Sequence, residues 1–337
     1  MSEPLRLLLA VDGGGTKTDV AVVGIDGMLL ARRLGPHVVP QVLGVAASLE
    51  AVFALAAAAC VDAGVDPARL RTLAGAVFHL AGIDLPVEQT AYLAAARNRC
   101  AGRVHVDNDA LAVLHAGFSD GHGVAVVCGT GANVVAVDRG GEVSRYRALG
   151  DITGDCAGGF LLGRAALFHA ARSADGRGPC TQLEQRVPQW FGLATPEAVA
   201  DALHLGDLRH TELSDLAPAV LAAARDHDAV AGRLIDDLTD ELVRMVVALI
   251  ARLPAFDGRE IPVVLGGGIL QAGDSRLTSR FATMLRRSLP RARVRILDRP
   301  PVAGSGAAAL RLVEASAQAL STFDRAAWRP PAPSDGE

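Results

Sequence analysis

An apolar run, three glycines and a second apolar run occupy residues 5–23, which read LRLLLAVDGGGTKTDVAVV. Both runs have the length of buried strands, and the glycines between them favour a tight turn. A further turn at Asp26 and Gly27 precedes a third apolar segment, residues 28–32. The stretch therefore predicts three strands joined by two turns, the first of them rich in glycine.

Alternating helix and strand patterns follow this stretch up to about residue 116. Helices are predicted over 46–63 and 85–100 and from Ala110, and strands over 73–78 and 104–106. The last of these strands delivers the sequence Asp107-Asn108-Asp109 at its carboxyl end. On position alone, these three residues fit a polar turn that caps the following helix as well as they fit a catalytic site.

The same order of elements begins again at residue 124, with a turn at Gly129-Thr130-Gly131. Strands are predicted at 124–128, 133–138, 142–146, 261–265 and 294–297, and helices over much of 160–255 and at 276–288 and 304–320. The repetition indicates two related α/β domains. Their predicted bounds are 1–116 with 303–328 for the first and 117–302 for the second, followed by a disordered tail at 329–337.

Composition narrows the class of protein. Half of the 337 residues are hydrophobic and 21% are charged, which excludes a disordered chain. The net charge of −4 argues against nucleic acid or an anionic membrane as partner, and the apolar runs read as too interrupted for a membrane span. Five cysteines without a CxxC pair argue against disulfides. We therefore expect a cytoplasmic protein that binds a small molecule.

The first glycine turn has the composition of a phosphate-binding loop. It reads Gly13-Gly14-Gly15-Thr16-Lys17-Thr18 and contains the only lysine among 33 basic residues. Glycines allow backbone N–H groups to approach an anion, and the following side chains add hydroxyl and ammonium donors. A strand follows the turn, so this is neither a Walker motif nor a dinucleotide-binding GxGxxG motif.

Two further glycine sites follow apolar strands. They are Gly129-Thr130-Gly131 and Gly266-Gly267-Gly268. In order and spacing, residues 8–19, 124–133 and 263–269 resemble the two phosphate motifs and the adenosine motif of the actin, sugar-kinase and Hsp70-type ATPase superfamily.

Within that superfamily, residues 6–312 resemble the BadF/BadG/BcrA/BcrD ATPase family, whose best-understood enzymes are N-acetylglucosamine kinases. Further matches lie at 80–84, 108–110, 154–164 and 300–307. The resemblance implies an α/β fold of two RNase H-like (actin-like ATPase) domains around a central nucleotide and substrate cleft. It also implies ATP and Mg²⁺ as cofactors, a small-molecule sugar or cyclitol as substrate, and a homodimer.

The resemblance also implies roles for individual residues. Asp109 matches the aspartate that takes the proton from the attacking sugar hydroxyl, and Asp12 matches the aspartate that holds the metal, usually through water. Substrate contacts are implied for Gly82, Asp84, Asp109, Gly131, Asp155 and Gly158. Nucleotide contacts are implied for the three glycine sites.

The chain departs from the kinase pattern at two places. Cys156 stands where kinase relatives have a glutamate, and residues 36–41 lack the asparagine and the aromatic residue of N-acetylglucosamine kinases. His37 and Gln41 are candidate replacement contacts to the sugar, although loop residues without a role would look the same. The prediction is thus a kinase that acts on N-acetylglucosamine, glucosamine or a related amino sugar, hexose or cyclitol.

Two other functions share this fold. The sequence Cys156-Ala157-Gly158-Gly159 resembles the cysteine motif of activator ATPases that serve 2-hydroxyacyl-CoA dehydratases or benzoyl-CoA reductases through an iron–sulfur cluster. Such a cluster needs a second cysteine, and Cys180 lacks the expected context. A non-catalytic sugar sensor is the other alternative, but such proteins generally lose the aspartate that Asp109 matches.

Overall fold

The computed structural model describes residues 6–256, 259–326 and 328. The chain forms two compact units, of which the second is Gly123–Ile296 and the first comprises the segments on either side, up to His122 and from Leu297. The junctions predicted from sequence, at 116/117 and 302/303, lie near these positions. The tail predicted at 329–337 falls outside the described residues.

Each unit is built on one five-stranded mixed sheet. The strands are β1 (Leu7–Gly13), β2 (Lys17–Gly24), β3 (Leu29–Pro36), β4 (Gly75–Leu80) and β5 (Arg103–Asn108) in the first unit, and β6 (Gly123–Cys128), β7 (Ala132–Val137), β8 (Val143–Arg145), β9 (Ile261–Gly266) and β10 (Ala292–Ile296) in the second. Their orders are β3-β2-β1-β4-β5 and β10-β9-β6-β7-β8.

The two sheets have the same topology. In the first, β1–β2 and β2–β3 are antiparallel while β1–β4 and β4–β5 are parallel. In the second, β6–β7 and β7–β8 are antiparallel while β6–β9 and β9–β10 are parallel. The prediction of two related α/β domains is confirmed. In each unit, the parallel strands end at one edge of the sheet, where the residues that follow them gather.

Helices pack against the sheet of each unit. They are α1 (Pro40–Leu43), α2 (Val45–Asp62), α3 (Pro86–Arg99), α4 (Ala110–Gly117), α5 (Gly159–Ala174), α6 (Leu183–Trp190), α7 (Pro196–Leu205), α8 (Ala217–Arg225), α9 (Ala229–Ile250), α10 (Gly268–Gln271), α11 (Ser275–Ser288), α12 (Val302–Leu312) and α13 (Ala317–Asp324). Short 3-10 helices occur at Pro67–Thr72, Gly150–Thr153, His210–Leu216 and Pro254–Phe256.

Alternation along β1 divides the core of the first unit. Leu7, Leu9 and Val11 pack with α2 and α3, whereas Leu8 and Ala10 pack with α12 and α13. A strand covered on both faces reads as a continuous apolar run, which is why residues 5–11 were recognisable. In the second unit, α5 to α9 form the predicted helical region, and they share one core with the sheet.

One helix corrects the expectation that no apolar run is long enough to cross a membrane. Among the described residues, α2 alone has the length and composition of a membrane span, with a mean hydropathy of 1.8 over 18 residues. In the structure, Leu49, Val52, Phe53 and Ala56 of this helix are buried in the core of the first unit. The charged residues Glu50 and Asp62 are too few to lower the mean hydropathy of this alanine-rich helix below that of a span.

The single helix predicted at 304–320 is wrong, because two helices occupy that stretch. Glu314 adopts a left-handed conformation with φ of 57°, and its N–H donates to the carbonyl of Arg311. Ser316 then caps α13 by accepting a hydrogen bond from the N–H of Ala319. Such a serine is a recognised helix-start signal, so the break was readable in the sequence.

Candidate active site

The first glycine turn joins β1 to β2 at the edge where the parallel strands of the first unit end. The N–H of Gly14 donates to the carbonyl of Lys17 at 2.9 Å and closes the turn. Gly15, Thr16 and Lys17 are exposed. A side chain at Gly13 would instead meet Cδ2 of Leu80 at 2.6 Å, so Leu80 would have to shift to admit one. The part of the turn open to a ligand is therefore residues 15–17.

Asp12 precedes this turn and faces two other carboxylates. Burial raises its pKa well above the usual range, and the charges of Asp109 and Asp19 raise it further, against the opposing charges of Lys17 and Arg32. Carboxylates that raise one another's pKa in this way attract a cation. Among the described residues, however, no group of three or more His, Cys, Asp or Glu side chains is arranged to hold a metal ion.

Asp19 is already neutralised by an arginine. Its carboxylate is 4% exposed and accepts hydrogen bonds from Nε of Arg32 at 3.1 Å and from Nη2 at 2.6 Å. Burial raises the pKa of Asp19, and the hydrogen bond and charge of Arg32 lower it. Sequence analysis missed this pair, although an aspartate at the start of an apolar strand is the kind of residue that needs a buried partner.

The residues of the sequence Asp107-Asn108-Asp109 make different hydrogen bonds at the start of α4. Oδ1 of Asn108 accepts a hydrogen bond from the N–H of Ala110 at 3.0 Å, and Oδ1 of Asp107 accepts one from the N–H of Asn108 at 2.8 Å. Asp109 stands at the N-cap position of α4 without a capping bond from its side chain. Burial raises its pKa to about 6. Asn108 thus accepts a hydrogen bond from the first N–H of α4, and backbone hydrogen bonds of Ala110 and Asp109 oppose the rise in the pKa of Asp109.

The second unit has its own glycine turn at the corresponding strand end. The N–H of Gly129 donates to the carbonyl of Gly131 at 2.9 Å, and a side chain at either residue would meet open space. The N–H groups of Gly159 and Phe160 donate to the carbonyls of Gly129 and Thr130 at 2.8 and 2.9 Å. These bonds tie the start of α5 to the turn, so a helix N-terminus, which favours anions, lies beside open backbone.

Gly158 and the third glycine site complete this edge. Gly158 has φ of 110°, and a side chain there would overlap the backbone of Gly131 at 2.7 Å. Gly267 has φ of 88°, and a side chain would lie 2.4 Å from the carbonyl oxygen of Cys128. Gly266 is buried, whereas Gly268 is exposed with open space around it. Gly158 and Gly267 are therefore needed for packing, and Gly268 is the open position.

Comparison with known proteins supports the family that the paired sheets and glycine turns indicate. Residues 9–310 match the BadF/BadG/BcrA/BcrD ATPase family. The chain belongs to this family. Its curated relatives include an N-acetyl-D-glucosamine kinase of Dictyostelium discoideum, 24% identical over 79% of this chain and 86% of the relative. An N-acetylmuramic acid/N-acetylglucosamine kinase of Clostridium acetobutylicum is 23% identical over 86% and 94%.

Solved structures agree with the fold of this BadF/BadG/BcrA/BcrD ATPase. A candidate N-acetylglucosamine kinase from Chromobacterium violaceum superposes with a TM-score of 0.73 at 25% identity, over 92% of this chain and 99% of that one. A ROK hexokinase from Thermus thermophilus superposes with a TM-score of 0.53 at 19% identity, over 90% and 97%, and shows the fold alone. The predicted fold class and family are confirmed.

Residues 82–84, which we call the acceptor loop, follow β4. Gly82 has φ of 82°, and Oδ1 of Asp84 accepts a hydrogen bond from Nδ2 of Asn108 at 2.8 Å. Nε2 of Gln41 donates to the carbonyl of Gly82 and to Oε1 of Glu88, the latter at 2.9 Å. The structure therefore engages the amide donor of Gln41 within the protein, which weakens its assignment as a sugar contact.

Two other predicted contacts have buried polar atoms. The side chain of Thr18 is fully buried, and its hydroxyl has no hydrogen-bond partner in the described part of the chain. The hydroxyl is thus buried beneath the exposed part of the turn. Nδ1 of His37 is buried and likewise lacks a partner among residues that the structure describes.

The loop with the unusual cysteine lies in the second unit of the ATPase. Asp155 is 8% exposed, and its Oδ2 accepts a hydrogen bond from the hydroxyl of Thr153 at 2.8 Å. Cys156 is exposed, as is the neighbouring Ile152. Asp155 is thereby held by its own loop, whereas the exposed thiol of Cys156 donates to the carbonyl of Gly154 at 3.5 Å.

Proposed function

We propose that this protein transfers the γ-phosphoryl group of ATP to a hydroxyl of a sugar. The observation that carries the proposal is the carboxylate of Asp109, which makes no side-chain capping bond to α4 and, like Asp12, stands where a parallel strand of the first sheet ends. A base and a second carboxylate beside an open glycine turn are the parts that phosphoryl transfer to an alcohol needs. The kinase activity named for the curated relatives supports the same reading.

Asp109 is the proposed general base. A pKa of about 6 leaves it mostly ionised at neutral pH, while its basicity exceeds that of an exposed aspartate. In this role it accepts the proton of the sugar hydroxyl as the oxygen attacks the γ-phosphorus, while the bond from the γ-phosphorus to the bridging oxygen of ADP breaks. Asn108 leaves Asp109 available by capping α4 in its place.

Asp12 is the residue proposed to hold Mg²⁺. Its neighbours fit a cation, since Asp109 and Asp19 both raise its pKa, whereas Arg32 donates hydrogen bonds to Asp19. One or two carboxylates with substrate phosphates are the usual protein ligands of Mg²⁺, which agrees with the lack of a larger cluster among the described side chains. When bound, Mg²⁺ supplies neutralisation of the charge on the β- and γ-phosphates.

The open glycine positions are the proposed nucleotide contacts. Residues 15–17 of the first turn are exposed, and in the second turn Gly129 and Gly131, on either side of Thr130, have open space around them. Lys17 adds an ammonium, which provides a compact point charge for a phosphate. Gly268 is the proposed contact to the adenosine moiety. Gly13, Gly158 and Gly267 shape these turns through packing.

The acceptor is proposed to be an amino sugar, with hexoses and cyclitols as alternatives. N-acetylglucosamine is the substrate named for the relatives, but Cys156 and residues 36–41 depart from that pattern. Losing one hydrogen bond to a sugar hydroxyl typically costs about 1 to 3 kcal/mol, so two losses would make N-acetylglucosamine a poor substrate unless others compensate. A homodimer, a cytoplasmic location and the absence of nucleic-acid and membrane partners stay predictions.

A substrate panel tests the proposal directly. The purified protein is incubated with ATP, Mg²⁺ and N-acetylglucosamine, glucosamine, N-acetylmannosamine, glucose or a cyclitol, and ADP formation is followed. We expect ADP release and a phosphorylated product with at least one of them. ADP release that is independent of every sugar would contradict a sugar kinase and favour an activator ATPase, whose iron–sulfur cluster would be visible in the absorption spectrum.

Asp109→Asn tests the base. We expect kcat to fall by roughly 10²-fold or more while ATP still binds, because the amide cannot accept the proton. In the wild-type protein, kcat/KM for the sugar should fall about tenfold per pH unit below pH about 6, where Asp109 becomes protonated. Unchanged turnover in the variant would move the base elsewhere, first to Asp107.

A further inference from the structure

Glu88, in the first turn of α3, is the centre of a hydrogen-bonded network that no motif indicated. Its Oε2 accepts hydrogen bonds from the N–H groups of Asp84 and Leu85 at 2.9 and 2.8 Å. Its Oε1 accepts one from Nε2 of Gln41 at 2.9 Å. One carboxylate therefore joins the end of the acceptor loop to α1, which is more than forty residues away in sequence.

Gln41 contacts the other end of the same loop. Its Nε2 also donates to the carbonyl of Gly82, and its Oε1 lies 1.7 Å from the position that a side chain on Gly82 would occupy. Gln41 thus fills the space above Gly82, which glycine alone leaves free. The two ends of the acceptor loop, Gly82 and Asp84, are held by one pair of side chains.

The network continues from the acceptor loop to the proposed base. Oδ1 of Asp84 accepts a hydrogen bond from Nδ2 of Asn108, and Oδ1 of Asn108 accepts one from the N–H of Ala110. These bonds hold the backbone on both sides of Asp109. A continuous path of hydrogen bonds therefore runs from Gln41 through Glu88, Asp84 and Asn108 to the segment that presents the carboxylate.

We propose that Glu88 and Gln41 are positioning residues that fix the acceptor loop and the backbone around Asp109 for attack by the acceptor. The kinetic consequence rests on the proposed function, whereas the structural consequence does not. A glutamate at this position of a helix commonly caps the helix start, and capping alone predicts an effect on stability. The hydrogen bond between Glu88 and Gln41 and the one between Asp84 and Asn108 are not part of that capping arrangement. They predict that changes at Glu88 or Gln41 also affect segments away from α3.

Kinetics of matched variants test the catalytic consequence. Gln41→Ala and Glu88→Ala should each raise the KM for the sugar on the order of tenfold and leave the KM for ATP within about twofold, because each variant loses hydrogen bonds that hold the acceptor loop. In the double variant, the KM for the sugar should rise by less than the product of the two single increases, since the two residues share bonds. Thr90→Ala is the control, since this exposed hydroxyl donates only to the Pro86 carbonyl in the same helix.

Hydrogen exchange of the free protein tests the network without any reaction. In Gln41→Ala, amide exchange should accelerate roughly tenfold in peptides covering 82–85 and also in peptides covering 108–110, and Thr90→Ala should change neither. Glu88→Gln should give an intermediate effect, because its amide can accept from the backbone but turns a second donor toward Gln41. Gln41 is exposed, so its variant is expected to fold even where Glu88→Ala does not.

The outcomes separate this inference from the proposed function. Unchanged exchange over 108–110 in Gln41→Ala, or a KM for the sugar equal to that of Thr90→Ala, overturns the positioning role. A wild-type protein that phosphorylates neither N-acetylglucosamine nor the other sugars overturns the kinase. The exchange experiment still decides whether Gln41 holds the backbone around Asp109 in that case.

Discussion

Lys17 is the one lysine that this arginine-rich chain retains, and the structure places it at the exposed start of β2. Lys17→Ala should raise the KM for ATP or lower kcat by roughly 10- to 100-fold, because a phosphate loses its ammonium partner. Lys17→Arg is the matched control, since it keeps the charge but replaces a compact donor by a planar fork. Kinetic constants equal to wild type in both variants would make the lysine an accident of composition.

Three histidine side chains form a cluster that the proposed mechanism does not use. His79 is fully buried, its Nδ1 lies 2.9 Å from the hydroxyl of Ser305, and its ring is 5.7 Å from that of His115 and 6.1 Å from that of His105. Burial lowers the pKa of His115 to about 3, with the charge of Arg311 and the His105 ring adding to the effect. Burial likewise lowers the pKa of His79 well below its usual range.

These depressed pKa values predict a loss of stability in acid. A histidine with a pKa near 6.5 in the unfolded chain and about 3 in the folded chain takes up a proton on unfolding between these limits. The stabilisation from burying neutral His115 is thus complete above pH 6.5 and is lost by up to about 1.4 kcal/mol per pH unit below it.

His115→Phe should remove this contribution. Chemical denaturation at pH 7.5 and 5.0 measures the free energy of unfolding, and the decrease between the two should be smaller in the variant. The comparison must be made between variants, because the raised pKa of Asp109 acts in the opposite direction: protonation of that carboxylate near pH 6 favours the folded state. Equal decreases in both proteins would contradict a neutral buried His115.

At the scale of elements, some glycines of the turns are needed for packing, whereas others are proposed to contact the nucleotide. Gly267→Ala should lower the free energy of unfolding by about 2 kcal/mol or more, because φ of 88° disfavours a side chain and the added carbon meets the backbone of Cys128. Gly268→Ala, one residue later, has open space and should preserve stability while raising the KM for ATP. Thermal melts and ATP titration of this pair measure the two effects. Equal melting temperatures of the two variants would contradict this prediction, because β9 and β6 could then separate without loss of stability.

Sequence patterns predicted most strands and helices of both units because each buries a continuous or periodic apolar surface. The break after α12 escaped because alanines continue through it, and only Ser316 marks the new start. At the site, Asp12 and Asp109 were recognisable as polar residues at strand ends. Glu88 and Arg32 were not, because their partners come from other elements.

At the scale of the molecule, the first unit is assembled from both ends of the chain. A chain that ends at residue 296 lacks α12 and α13, which cover Leu8, Ala10 and Ala21 on one face of the first sheet. We expect this truncated protein to lose the thermal transition of the first unit and to retain that of Gly123–Ile296, which is continuous in sequence. Differential scanning calorimetry and limited proteolysis should then show one stable fragment within 123–296. Two retained transitions would mean that the first sheet folds without its C-terminal helices.

The sequence by itself determined the duplicated strand order, the three glycine turns, the family and the two aspartates at strand ends. Each is encoded locally, by apolar runs and by glycines beside them. Only the tertiary structure decided which residue of Asp107-Asn108-Asp109 caps α4, that Thr18 is buried, and that Gln41 holds the acceptor loop. The bond of Asn108 to the start of α4 is local, but its side chain is also held by Asp84, 24 residues away, and Gln41 lies 41 residues from Gly82. Spacing along a sequence does not record such pairs, because the fold alone brings them within bonding distance.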